Sequence, residues 1–162
     1  MPAPLSYPKL LRELLKGLKT TSPQETENLA KDFSNFIPPD AVLALYGEMG
    51  AGKTTFVRGL ARGWKIDNPV TSPTFNIVST YNGDRNLVHL DAFRIDDPSQ
   101  YDDLLLEDII RSPYCLVIEW PKNLRDRLPN HACQITLRRT NDQSCFIKVD
   151  SLDLFSNLPC LR

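Results

Sequence analysis

Gly47-Glu48-Met49-Gly50-Ala51-Gly52-Lys53-Thr54 is the stretch on which the reading of this chain turns. These eight residues satisfy the G-x-x-x-x-G-K-[ST] template in full. Polyphosphate is bulky and anionic, so a backbone that binds it must wrap around it with N–H groups turned inward. Glycines permit the dihedrals and the close approach that this requires. A helix starting at the end of the loop aims its positive end at the same place. Lys53 is placed to contact the β- and γ-phosphates, and the Thr54 hydroxyl is a hard oxygen ligand suited to magnesium. With Thr55 in the same turn, the stretch is the expected cofactor-binding set for a nucleoside triphosphate and Mg2+.

The flanks have the right character. Ala41 to Tyr46 is a short apolar run that reads as a buried strand. Phe56, Val57, Leu60 and Ala61 form a helical stripe that ends near Gly63. Further out, Ser22-Pro23-Gln24-Glu25 reads as a capped helix start, with Leu29, Ala30, Phe33 and Phe36 as its apolar face and Pro38-Pro39 as its stop. Phe75 to Tyr81 and Leu87 to Asp91 read as an antiparallel hairpin around Asn82-Gly83. Asp97-Pro98-Ser99-Gln100 opens a helix expected to run to about Ile110. Tyr114 to Glu119 reads as a central strand, and Cys133 to Leu137 with Cys145 to Val149 as a last hairpin. Strand–helix alternation followed by hairpins predicts an α/β, three-layer P-loop fold with a mixed parallel and antiparallel sheet.

Leu10, Leu11, Leu14, Leu15 and Leu18 recur at helical spacing among Lys9, Arg12, Lys16 and Lys19. They predict an amphipathic helix, either docking on the core or offered to a partner. The expected organisation is a helical N-terminal extension over 1–20, the P-loop domain over 21–150 and a C-terminal tail over 151–162.

The 162 residues are 41% hydrophobic and 24% charged, ordinary globular proportions. The net charge of −1 lacks the basic excess of a duplex-binding protein, so no DNA partner is expected. No apolar run approaches the ~20 residues that cross a membrane. Cys115, Cys133, Cys145 and Cys160 have neither Cys-x-x-Cys nor zinc-finger spacing, and read as buried, reduced thiols of a cytoplasmic protein.

Magnesium beside a P-loop needs an acidic group at the end of a neighbouring strand. Asp91 and Glu119 each follow an apolar strand. Glu119 follows the more hydrophobic one and is the preferred magnesium ligand; Asp91 is expected to orient water or hold the outer metal shell. The Thr71-Ser72-Pro73-Thr74 loop reads as a sensor of the γ-phosphate or an ordinary turn. No Asn-Lys-x-Asp guanine reader occurs, and Asp91-Ala92-Phe93-Arg94 lacks the glycine of Asp-x-x-Gly, which argues against a GTPase.

The P-loop block, Ser72-Pro73-Thr74-Phe75, His89-Leu90-Asp91-Ala92-Phe93-Arg94 and Ile118-Glu119-Trp120-Pro121 together resemble the TsaE (YjeE) ATPase family in order and interval, over about residues 22 to 150. The resemblance implies an ATPase of tRNA N6-threonylcarbamoyladenosine synthesis at position 37. Its implied partners are the TsaD–TsaB pair and, through them, tRNA. By residue it implies Lys53 on phosphate, Thr54 on magnesium, Asp91 and Glu119 as the acidic and catalytic pair, and Thr74 in the switch-like loop. It also implies Trp120 at the nucleotide pocket, with a core aromatic as the alternative, and Thr21 and Ser22 as candidates for adenine contact. The chain departs at Ala92 and Phe93, where a bulkier aliphatic and a Tyr are usual, and at Leu105, where Gly is common. A small-molecule kinase and a nucleotide-dependent interaction module with negligible hydrolysis remain as other functional readings. His89, two residues before Asp91, is expected to bond to Asp91 or to the switch-like loop, or simply to fill the core. Lys122, Arg125, Arg127, Arg138 and Arg139 are expected to gather near Trp120, as a partner or tRNA site or a solvated face. Arg94 or a partner residue is the expected source of any transition-state arginine.

Overall fold

The computed structural model describes residues 7–72, 76–150 and 153–155. Helix α1 (Tyr7–Lys16) leads into β1 (Leu18–Thr20), and α2 (Pro23–Ser34) into β2 (Ala41–Tyr46). The phosphate-type loop then opens α3 (Lys53–Gly63). Strands β3 (Val78–Tyr81), β4 (Asn86–Asp91) and β5 (Tyr114–Glu119) follow, with short helices α4 (Ser99–Asp102) and α5 (Leu106–Ile109) between β4 and β5. β6 (Cys133–Arg139) and β7 (Cys145–Val149) complete the sheet.

The seven strands lie in the order β1-β7-β6-β2-β5-β4-β3. The centre is parallel: β2 pairs with β5 and β6, and β4 with β5. The flanks are antiparallel: β3 with β4, β6 with β7, and β7 with β1. The expected mixed sheet and both expected hairpins are present.

Alternation along the strands builds two cores. Ala41, Leu43, Leu45, Cys115 and Val117 face the layer of α1, α2 and α3, where Phe33 meets Phe56 at 6.1 Å and Phe155 at 5.7 Å between ring centroids. Val42, Val88, Leu90, Leu116 and Ile118 face the opposite layer, with Leu106 and Leu124. His89, Asp91 and Glu119 keep step with Leu87, Cys115 and Val117, so they lie on the α3 side of the sheet.

Local departures have local causes. The stretch over 1–20 is helical only over Tyr7–Lys16 within the described residues; Leu18 belongs to β1 and pairs with Ile147. Leu10, Leu11 and Leu14 are buried in the main core, so α1 is a docking helix. The single helix expected to reach Ile110 is two one-turn helices, because Leu105 stands at φ 46° and ψ 50°, a left-handed conformation that a helix cannot contain. The strand expected from Phe75 begins at Val78. Pro73, Thr74 and Phe75 lie outside the described residues, as does Cys160. Cys115 and Cys133 are buried thiols, but Cys145 is only half-buried and sits against the loop at Ala51.

Candidate functional site

The loop between β2 and α3 lies at the carboxyl end of the parallel strands, where open α/β sheets place their ligands. Its glycines answer to distinct demands. A Cβ on Gly47 would stand 2.4 Å from the Leu137 carbonyl oxygen, so only glycine allows this approach of the loop to β6. Gly52 adopts φ 102° as the residue that opens α3, a conformation costly for any side chain. No side chain caps α3, so its first amide groups are left to an anion.

Lys53 is 5% exposed. Its Nζ donates to the carbonyl oxygens of Gly47 and Glu48, each at 2.8 Å, and lies 4.1 Å from the centre of the Trp120 ring. Burial lowers the pKa of this ammonium, and Glu119 and Asp91 act the other way. Trp120 has φ 57° and ψ 47°, strained for so bulky a residue. That turn brings its ring to both Lys53 and Phe93, the latter at 5.0 Å between ring centroids.

The parallel register sets Asp91 beside Glu119. Thr54 Oγ1 donates to Glu119 Oε1 at 3.0 Å, joining the loop to the end of β5. Asp91 is held differently: its Oδ1 accepts from the Phe93 amide at 3.0 Å and its Oδ2 from the Ser72 hydroxyl at 3.3 Å. Ser72 thus connects the expected sensor loop to the acidic pair, while Thr74 lies outside the described residues. Asn123 Nδ2 donates to the Ala92 carbonyl at 2.8 Å and ties the segment after β5 to the segment after β4.

A cleft of about 380 Å³ opens among Lys53, Thr54, Asp91, Glu119, Phe93 and Trp120, with Thr55, Met49, Arg94 and Arg139 at its walls. This is the size range of nucleotide-scale ligand sites. Among the described residues no three His, Cys, Asp or Glu side chains converge as a metal cage. One hydroxyl and two carboxylates instead suit an ion that draws its remaining oxygens from phosphates and water, as magnesium does.

His89 bonds neither to Asp91 nor to the described part of the switch-like loop. It is fully buried, and its Nε2 lies 2.9 Å from Glu119 Oε1. Burial parity on β4 was visible in the residues; the register of β4 against β5, which chooses Glu119, was not. Thr21 and Ser22 serve the start of α2: Ser22 Oγ accepts from the Glu25 amide at 3.2 Å, and Glu25 Oε2 accepts from the Thr21 amide at 2.6 Å. Ser22 and Thr55 also line a small recess beside Gly52, together with Arg139 and Cys145. The expected cluster of five cations divides. Lys122, Arg138 and Arg139 line a groove of about 630 Å³ on the far side of Trp120, whereas Arg127 pairs with Asp102 and Asp126. Arg139 reaches both the cleft and the groove because β6 runs two residues beyond its expected end at Leu137.

Comparison with known proteins bears on the same constellation. The family model described as "Threonylcarbamoyl adenosine biosynthesis protein TsaE" matches residues 20–146. The tRNA threonylcarbamoyladenosine biosynthesis protein TsaE of Bacillus subtilis (strain 168) is 40% identical over 131 residues, covering 79% of this chain and 82% of that protein. The protein of the same name from Aquifex aeolicus (strain VF5) is 39% identical over 111 residues, covering 67% and 78%. Among solved structures, Bacillus subtilis YdiB superposes with a TM-score of 0.66 at 34% identity, covering 82% of each chain.

Proposed function

This chain belongs to the TsaE family of threonylcarbamoyl adenosine biosynthesis proteins, and from that premise we propose that it binds and hydrolyses ATP to support N6-threonylcarbamoyladenosine formation at position 37 of tRNA. In this reading it works in the cytoplasm on a TsaD–TsaB-type pair and meets tRNA through that pair. The observation that carries the reading is the Thr54–Glu119 hydrogen bond beneath the uncapped start of α3. It joins an anion site to a carboxylate, the combination that a metal-bound triphosphate requires. No helix among the described residues is long and apolar enough to cross a membrane.

Each residue has a physical task in this reading. The loop amides and Lys53 neutralise phosphate charge in a site that Trp120 and Phe93 partly shield from water. Thr54 and Glu119, with Asp91 beside them, would hold magnesium, which when bound spreads the charge that develops on the transferred phosphoryl group. Asp91, fixed through both oxygens, orients water or the outer metal shell. Ser22, which lines the recess beside Gly52, and its neighbour Thr21 would contact the adenine.

The test is ATP hydrolysis by the full chain, alone and with the TsaD–TsaB pair and tRNA. The expected result is slow turnover alone and strong stimulation by the complex. Phosphate transfer to a metabolite with no effect of the pair would overturn it in favour of a small-molecule kinase.

A further inference from the structure

Asp91 and Glu119 line the cleft, and three of their four carboxylate oxygens are engaged. Asp91 Oδ1 and Oδ2 accept from the Phe93 amide and the Ser72 hydroxyl. Glu119 Oε1 lies within bonding distance of both Thr54 Oγ1, at 3.0 Å, and His89 Nε2, at 2.9 Å. Glu119 Oε2 has no partner among the described residues. It is nevertheless not sealed from solvent, because the one buried side-chain nitrogen or oxygen left unpartnered among them is His89 Nδ1.

That orphan nitrogen is informative. Burying a polar atom without a partner is unfavourable, and a leucine would fill the space with no such cost. The imidazole's contribution is therefore its other nitrogen. A carboxylate oxygen only accepts, so Nε2 carries the hydrogen and donates. His89 stands opposite Val117 in the β4–β5 register, two residues short of Glu119, from where the ring reaches Glu119 from the sheet side while Thr54 reaches it from the loop.

We propose that His89 is a positioning residue for Glu119: its Nε2–H pins Oε1 so that Oε2 is turned into the cleft. The proposal rests on the ATPase reading for its kinetic consequence but not for its geometry. Outer partners that orient a metal-site ligand are worth about 10- to 100-fold in activity or metal affinity.

Two measurements on the full chain test it. Long-range 1H–15N spectra of the imidazole rings, to which only His89 and His131 contribute, report which nitrogen carries hydrogen. The expected result for the nucleotide-free protein is hydrogen on Nε2 of His89 and none on Nδ1, with the preference lost in Glu119→Ala. A ring without hydrogen on Nε2, or a preference unchanged in Glu119→Ala, overturns the proposal. In the second measurement, His89→Leu lowers kcat about 10- to 100-fold and abolishes the tightening of ATP binding by magnesium, while affinity in EDTA stays within about twofold of wild type. His89→Gln, which retains a donor near the Nε2 position, recovers most of the loss. A leucine variant as active as wild type, or a glutamine variant as impaired as leucine, overturns it. Should the wild type hydrolyse no ATP even with the TsaD–TsaB pair, the proposed function falls, and the ring spectra still decide the positioning.

Discussion

Lys53 holds its own loop in shape, through the carbonyls of Gly47 and Glu48, before any phosphate arrives. Lys53→Ala therefore removes both a charge and two ties. Hydrogen bonds to charged groups contribute about 1.5–3 kcal/mol, so ATP affinity should fall by about 10- to 100-fold or beyond, which titration calorimetry reads directly. Glu119→Ala should behave differently. ATP still binds through the loop, but kcat should drop about 100-fold or more, measured with the partner pair present. Wild-type turnover in that variant would displace Glu119 from the acidic pair. These residues were legible in the sequence because each belongs to a local pattern: loop spacing for Lys53 and Thr54, an apolar run ending in a carboxylate for Asp91 and Glu119. The His89–Glu119 bond was not legible, since it depends on which strand lies beside β4 and in what register.

Among the elements, α2 shows how far a capping pattern carries. Ser22 and Glu25 do form a start signal, yet the Glu25 carboxylate reaches back to Thr21 rather than to Ser22. Those Thr21 hydrogen bonds hold the Glu25 pKa below its ordinary value. Ser22→Ala should lower the unfolding free energy by about 1 kcal/mol in urea titration, the usual cost of a lost N-cap. The α4–α5 break is the opposite case. A capping signature favoured one continuous helix, but Leu105 turns left-handed and is 53% exposed, so little apolar burial compensates the strain. Leu105→Gly should raise stability by about 0.5 kcal/mol, the left-handed penalty of about 1 kcal/mol being partly offset by the greater freedom of glycine in the unfolded chain. A shift of the urea midpoint to lower concentration would refute that accounting.

At the scale of the whole molecule, the fold class followed from strand–helix alternation, but the strand order did not. Nothing local to Leu18–Thr20 announces that these residues will close the β7 side of the sheet, because the partner lies more than a hundred residues away. The same holds for α1: its leucine spacing predicted an amphipathic helix, and only the assembled sheet showed where the apolar face goes. Since Leu14 is fully buried with Phe33 and Val57 in one core, Leu14→Ala should destabilise the entire structure by about 2–5 kcal/mol. Far-UV circular dichroism should show a single transition moved to lower denaturant. A separate early transition confined to α1 would mean that the helix is only loosely attached.

The order of the strands also governs how copies of the protein meet one another. The two outermost strands, β1 with three residues and β3 with four, are the shortest of the seven, and Lys19 lies on the first. A neighbouring chain seeking to extend the sheet finds only a brief row of unpaired amides at either margin. Short margins, one of them bearing a lysine, discourage edge-to-edge polymerisation, so this architecture protects its long hydrophobic central strands from amyloid-like stacking by enclosing them between poor templates.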